Sequence, residues 1–362
     1  MSTLWIRDEI KPFEKRAPIT PFHVGKLIEE SHEIIVESSA NRIFPDADYL
    51  AFGCKIAQSG SWPSAPKDAI ILGLKYLKDV SFPLIHRHIY FAHAYNDSRI
   101  FHEKSGVTSL MQNFRNGGGT HYDLEFLTDN NFQRVAAFGV SAGFAGASIA
   151  LLILAKKMQN ITPPFTISTF YDSSAKLLQD VQLAIEPILL HQSPKILIIG
   201  ATGRCGRGAK NVLEKFGLTW DEWGQQETQS KDKLLEIMTY DLLINCAGIK
   251  KQTQAFLTNS QLYEGMRLNL IADIGCETSG NNPLPIYNGV TTYDNPTHRI
   301  ALNNQYLDII AIDNLPTFLP FDSSTDFSTQ LFPHLRELLN CGDTAVWDRA
   351  GQIFQHRLVE LA

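Results

Sequence analysis

The sequence predicts an α/β protein of two domains, each built on a parallel sheet, and three observations lead there. The chain has 362 residues, 44% hydrophobic and 19% charged, enough to bury two cores of ordinary size. Short apolar runs alternate with helix-periodic segments, the pattern of βαβ units and hence of parallel strands. One apolar run, Lys195 to Ile199, passes directly into a glycine turn, Gly200-Ala-Thr-Gly-Arg-Cys-Gly206, and then into a helix. Strand, turn and helix in that order mark a Rossmann-like unit.

In the first third, Trp5 to Asp8 reads as a strand and Thr20 to Ser31 as a helix opened by Thr-Pro. Glu33 to Glu37 follows as a strand and Asp46 to Gly53 as a helix. Ala69 to Lys75 (AIILGLK) and Leu84 to His93 (LIHRHIYFAH) are further strands, each ending in a residue able to move a proton. Val135 to Ala155 carries no charge and is long enough to cross a bilayer. Gly139, Gly143 and Gly146, set among alanines, instead suit a buried interdomain helix approached closely by other backbones. A helix to Phe216 follows the glycine turn, and Asp241 to Asn245 and Asn269 to Asp273 continue the βαβ series. Asp322 to Thr329 reads as a polar turn that returns the chain to the first domain, before helices at Leu331 to Leu339 and Thr344 to Leu361. The expected division is a substrate domain at 1–138 and 322–362 and a dinucleotide-binding domain at 139–321.

Composition narrows the function classes. Net charge is −6 and the basic residues are scattered, so a small-molecule ligand is expected rather than nucleic acid. The first residues, MSTLWIRDEIKPFEKR, lack the apolar core of a signal peptide, and no membrane attachment is expected. Five cysteines, Cys54, Cys205, Cys246, Cys276 and Cys341, are widely spaced without a CxxC pair, which fits a reducing cytoplasm and suggests no zinc site.

Gly200, Gly203 and Gly206 would let the backbone turn tightly and approach a pyrophosphate, whose charge the amides of the next helix would meet. The spacing is GxxGxxG, so a purely structural turn is the competing reading. Arg204 could add a phosphate contact. A ribose-binding carboxylate is expected about 20 residues on, at the end of the next strand. Asp221 and Glu222 are the candidates, although neither follows a clear strand. Ligands of open α/β sheets gather outside the carboxyl ends of strands, which draws attention to Lys75 and His93. Lys75 could instead snorkel to the surface. His86 and His88 share a strand face, but no regular ligand spacing follows and no metal is expected. Glu125, in Tyr122-Asp-Leu-Glu-Phe-Leu, is either a functional carboxylate or a partner for Arg134.

These segments also carry a resemblance. Arg7 to Pro21 (RDEIKPFEKRAPITP), Gly60-Ser-Trp-x-x-Ala-Pro, Ile71-Leu-Gly-Leu-Lys75 and Phe91-Ala-His93 resemble lysine-forming, NAD-dependent saccharopine dehydrogenases, of the alanine dehydrogenase-like superfamily. Arg134-Val-Ala-Ala-Phe-Gly, Ala142-Gly-Phe-Ala-Gly-Ala, Ile199-Gly-Ala-x-Gly-Arg-Cys-Gly206, Pro283-x-Pro-Ile-Tyr287 and Ile312-Asp-x-Leu-Pro316 follow in the family's order. The resemblance implies that saccharopine, NAD+ and water give L-lysine, 2-oxoglutarate and NADH. It implies Lys75 as proton acceptor and His93 as proton donor, with Arg16, Glu125, Arg134 and Phe138 at the substrate. The two arginines would then depress the Lys75 pKa by like charge and desolvation, and Glu125 would oppose that shift. On the cofactor side it implies Gly200, Gly203, Arg204, Gly206, Thr228, Asn245, Ile274, Ile312, Asp313 and Leu315. It also places Cys205 near Cys246, as two thiols or as a disulfide.

Departures from the family pattern matter as well. Tyr76 stands where the family has glutamate, and Asn96 and Ser98 where it has lysine and glutamine. The family's W-D-x-x-E-T is Trp223-Gly224-Gln-Gln-Glu-Thr228 here, Gln133 replaces an arginine and Gly248 a tyrosine. NAD is the expected cofactor, with NADP as the alternative. The competing functions are oxidation of another secondary amine or amino acid, and a non-catalytic binding protein of the same fold.

Overall fold

The computed structural model describes residues 2–360 apart from 12, 78–79, 93–99, 249–253, 277–281 and 343, and gives backbone only for 100–107. It divides into two compact units, Met1–Ala137 with Pro320–Ala362, and Phe138–Leu319.

The first unit is built on β1 (Thr3–Ile6), β2 (Glu33–Glu37), β3 (Lys55–Ala57), β4 (Ile70–Lys75), β5 (Arg87–Phe91) and β6 (Thr120–Asp123). Their spatial order is β3-β2-β1-β4-β5-β6, and every registered pair is parallel. The chain builds outward from β1 through β2 and β3, then returns to the other side of β1 to lay down β4. The crevice between β1 and β4 is thus a topological switch point, where such sheets bind ligands. β4 is a continuous apolar run because five of its six residues are buried, only Lys75 being partly exposed. The helix Pro21–Glu29 starts as its Thr-Pro signal predicts, with the Thr20 side chain accepting from the His23 amide and Pro21 in the first turn.

One expected turn is a helix. Asp322–Thr329 lies within the helix Pro320–Leu339, and its serines are polar because they face polar backbone, not water. Ser324 Oγ accepts the Ala17 amide at 2.9 Å and Ser328 Oγ accepts the Thr20 amide at 3.0 Å, with both serines fully buried. The serines obscured the helical period, but Ser324 and Ser328 each satisfy a buried amide.

The second unit is built on β7 (Ile196–Ile199), β8 (Trp220–Trp223), β9 (Leu242–Asn245), β10 (Leu270–Asp273), β11 (His298–Leu302) and β12 (Gln305–Ile310). The order is β11-β12-β10-β9-β7-β8, parallel except for the β11–β12 hairpin. β7 lies between β8 and β9, which puts the glycine turn at a switch point too. β8 was hidden in the sequence because Asp221 and Glu222 break its apolar pattern, as an edge position with both side chains exposed allows. The helix Gly139–Met158 is long and apolar enough to span a membrane, yet 72% of its most apolar window is buried inside the protein. It packs on the helices Arg204–Lys215 and Ser174–Leu189 of the same unit, so its apolar residues serve a protein core.

Candidate functional site

In the first unit the site grows from the carboxyl ends of β1 and β4. Lys75 closes β4, and its Nζ lies 3.7 Å from Glu14 Oε2. Glu14 also grips Arg16, accepting from Nε at 2.8 Å and from Nη2 at 2.7 Å. Burial alone would raise the Glu14 carboxyl, but Arg16 and Lys75 outweigh it and bring the pKa to about 2. Arg16 is therefore charge-paired, through a carboxylate that also lies beside Lys75.

Arg7 and Glu9 follow β1. Arg7 donates through Nη2 to the Lys75 carbonyl, and Glu9 accepts from the Leu74 and Lys75 amides at 2.5 and 3.0 Å. Burial raises the Glu9 carboxyl above its ordinary value, against the pull of Arg7 and those amides. Sequence reasoning missed Glu9 and Glu14. The signal was there: acids and bases crowd Arg7 to Arg16 with few apolar residues, an arrangement that needs a partner if buried.

Glu125 and Arg134 meet, Nη1 to Oε1 at 3.8 Å, the arginine exposed and the glutamate partly so. His93, Asn96 and Ser98 lie outside the described residues. His86 and His88 are buried in an aromatic environment, His88 against Trp62 and Phe114. Among the described residues no group of three His, Cys, Asp or Glu is placed to hold a metal.

In the second unit Gly200 follows β7 with φ +80, and a β-carbon there would lie 2.8 Å from the Cys246 carbonyl. Gly203 caps the helix Arg204–Lys215 without a side chain, which leaves the first amides of a twelve-residue helix to an incoming group. A side chain at Gly206 would collide with the Ala201 backbone. The turn thus has glycines where backbone approaches closely, next to the first amides of the helix.

The other expected cofactor residues line the carboxyl edge of the same sheet. Asn245 ends β9, Ile274 follows β10, and Ile312, Asp313 and Leu315 follow β12. Thr228 lies after β8, its hydroxyl donating to the Gly224 carbonyl at 2.9 Å. Asn245 donates to Asp273 at 3.0 Å and Tyr287 donates to the same carboxylate at 2.7 Å. Burial raises the Asp273 carboxyl, and those two donors oppose the rise. Phe138 precedes the helix Gly139–Met158 as its N-cap. Cys205 and Cys246 are neighbouring thiols, not a disulfide. A hydrogen bond to Cys205, then burial, push the Cys246 thiol well up.

The two ribose candidates need correction. Asp221 and Glu222 do not lie beyond a strand but within β8. Asp221 accepts from Tyr240 at 2.6 Å, and Glu222 pairs with Lys210 at 3.1 Å. The next carboxylate after the strand is Glu227, in the short helix Gln225–Thr228, whose Oε2 accepts the Gly224 amide at 2.7 Å.

Two α/β units, one with a lysine at its switch point and the other with a glycine turn between strand and helix, define the class of nicotinamide-dependent dehydrogenases. Comparison with known proteins agrees. Residues 5–145 match the family profile of the alanine dehydrogenase/PNT N-terminal domain. The fold is similar to that of an L-alanine dehydrogenase, with TM-score 0.69 and 15% identity over 99% of this chain and 100% of that one. A transhydrogenase from Sinorhizobium meliloti gives TM-score 0.63 and 14% identity, over 98% and 97%. In sequence the chain is 39% identical to saccharopine dehydrogenase [NAD(+), L-lysine-forming] of Candida glabrata, covering 97% of this chain and 96% of that protein. It is 38% identical to the protein of the same name in Candida albicans, covering 99% and 97%. The chain belongs to the saccharopine dehydrogenase family of the NAD+, L-lysine-forming type.

Proposed function

We propose that this enzyme oxidises the secondary amine of saccharopine, so that saccharopine, NAD+ and water give L-lysine, 2-oxoglutarate and NADH, and that it also runs the reverse coupling. The observation that carries the reading is the place of Lys75, at the switch point of its sheet and 3.7 Å from a carboxylate that stays ionised. Lys75 takes the proton of the substrate amine, and the Glu14 anion stabilises the ammonium that results. His93 donates a proton as the imine carbon is hydrolysed. Arg134, with Glu125 beside it, and Arg16 orient the carboxylates of the substrate, and Phe138 packs on its carbon chain.

The dinucleotide, when bound, supplies the hydride acceptor. Gly200, Gly203, Arg204 and Gly206 would hold its pyrophosphate, and Thr228, Asn245, Ile274, Ile312, Asp313 and Leu315 the rest along the sheet edge. NAD is the cofactor we assign, supported by Glu227, whose carboxylate holds the Gly224 amide just beyond β8 and would repel a 2′-phosphate there. The adjacent thiols Cys205 and Cys246 support work in the reducing cytoplasm.

One observation favours a second reading, a different amine partner for 2-oxoglutarate. Tyr76 is partly buried against the core around Trp5, Trp62 and Tyr90, with Lys11 Nζ 6.0 Å from its ring centre. A ring where the family resemblance implies a glutamate would alter the amine end of the site. NADH consumption with 2-oxoglutarate and a panel of amines decides between the two. Lysine giving the highest kcat/KM supports saccharopine, and another amine exceeding it tenfold supports the second reading. In either case Lys75→Met should lower kcat by about two orders of magnitude or more while leaving NADH affinity within about twofold. Turnover at the wild-type rate in Lys75→Met would sink the mechanism.

A further inference from the structure

The strand that carries Lys75 does not run regularly to its end. β4 pairs with β5 at Ile70↔Arg87, Ile71↔His88 and Leu72↔Ile89, then slips so that Lys75 faces Phe91. Three residues of β4 there advance against two of β5, which is a bulge. On the other side, registered pairing with β1 stops at Ile6↔Leu72. Beyond Leu72 the amides of Leu74 and Lys75 are served by a side chain: both go to the Glu9 carboxylate, one to each oxygen, at 2.5 and 3.0 Å.

Arg7 completes the clamp. Its amide donates to the Leu72 carbonyl at 2.9 Å, its Nη2 donates to the Lys75 carbonyl, and the same nitrogen lies 3.6 Å from Glu9. A β-carbon at Gly73 would fall on the guanidinium, so Gly73 is what lets Arg7 lie across the bulge. Arg7 and Glu9 are both buried. Two charged side chains are thus enclosed in order to hold a few residues of backbone, and those residues end in Lys75. A bulge re-aims the side chain that follows it, and bulges recur beside reacting groups for that reason.

We propose that Glu9 is a positioning residue for Lys75: its carboxylate stands in for the neighbouring strand that β4 lacks at its end and fixes the bulge that aims the ε-amine at Glu14. The inference rests on the reading of Lys75 as proton acceptor. Glu9 binds the Leu74 and Lys75 amides and pairs with Arg7, and it acts through the geometry of the lysine.

The test is a double-mutant cycle on the full-length enzyme. Glu9→Gln keeps the shape but leaves one acceptor oxygen and turns an NH2 group toward an amide that needs an acceptor. It should lower kcat by about 10- to 100-fold, the order expected for an ångström-scale misplacement of a reacting group. NADH affinity, bound in the other unit, should stay within about twofold, and substrate KM should change less than kcat. In a Lys75→Met background the same substitution should cost less than about twofold, because there is no amine left to aim. Glu9→Asp, which retains the charge beside Arg7, serves if Glu9→Gln does not fold, with an expected loss of about 3- to 10-fold in kcat. Wild-type kcat in folded Glu9→Gln or Glu9→Asp, with Lys75→Met inactive, overturns the positioning role and leaves the mechanism standing. A full loss repeated in the Lys75→Met background overturns it too, since Glu9 would then act on stability or on another group. Wild-type turnover in Lys75→Met itself overturns the proton-acceptor reading, and the positioning role with it.

Discussion

Glu14 holds Arg16 with both carboxylate oxygens, one on Nε at 2.8 Å and one on Nη2 at 2.7 Å, and only 2% of Glu14 and 3% of Arg16 is exposed. Two residues apart in sequence, they neutralise each other beneath the amine of Lys75. Removing one partner of such a pair strands a buried charge, at a cost of roughly 3–5 kcal/mol.

Glu14→Gln should therefore destabilise the protein at pH 7, and the size of the effect should depend on pH. The folded-state pKa of Glu14 is lowered from 4.5 to about 2. Stability from its ionisation is then fully present above about pH 4.5 and is lost as pH falls toward 2. The difference between wild type and Glu14→Gln should shrink across that window. Denaturant titrations at pH 7, 5 and 3.5 measure it, and a difference that stays constant would show that the carboxylate charge is not what holds the pair.

His88 makes a different kind of prediction. Its ring meets Trp62, Tyr90 and Phe114 at centroid distances of 5.2, 6.2 and 5.4 Å, and neither ring nitrogen has a hydrogen-bond partner among the described residues. Burial, then His121, His86 and Arg7, hold its pKa well below the ordinary value, and burial brings His121 to about 3. Both folded-state values lie below 6.5, so the unfolded chain takes up protons that the folded one refuses. Stability should fall as pH drops below about 6.5. His88→Leu removes two unsatisfied buried nitrogens and should raise stability by about 1 kcal/mol at pH 7, and by more at pH 5. Thermal midpoints at the two pH values are the measurement. A variant less stable than wild type at both would mean that the ring's packing outweighs its polarity.

Much of this was legible before the structure, for identifiable reasons. β2 and β4 are short apolar runs between polar breaks, and β7 ends in glycines that only a tight turn requires, so pattern and turn chemistry agreed. Lys75 stood out because a charge at the end of an apolar strand needs an explanation. What stayed hidden depends on partners distant in sequence. Ser324 and Ser328 look like a turn until Ala17 and Thr20, some 307 and 308 residues away, supply their amides. β8 is an edge strand whose polar residues face water, and Glu9 earns its place only once β4 has bulged. No periodicity announces any of these, since each is a tertiary satisfaction of a local irregularity.

The cofactor preference turns on β8. In dinucleotide folds the acid that reads the ribose lies at the end of the strand after the glycine turn, where it binds the 2′-hydroxyl and repels a 2′-phosphate. Here that strand ends at Trp223 and is followed by Gly224, which offers no carboxylate. The Trp223 carbonyl accepts the Gly200 amide at 2.8 Å, so the strand end and the cradle adjoin. Asp221 and Glu222 are held by Tyr240 and Lys210, inside the strand. Glu227 remains, its carboxylate accepting from the Gly224 amide and drawn below the ordinary range first by that bond. It is the acid we assign to face a 2′-phosphate. Replacing it with glutamine removes the repulsion, and through solvent the effect of one exposed charge is modest. Glu227→Gln should lower the NADPH dissociation constant on the order of fivefold while changing that of NADH by less than about twofold. Asp221→Asn and Glu222→Gln should leave the ratio of the two constants where it is. Fluorescence titration with both cofactors reads all three variants. A ratio that moves with Asp221 or Glu222 and not with Glu227 would return the selectivity to the strand itself, and would mean that one of those acids leaves its present partner when the cofactor binds.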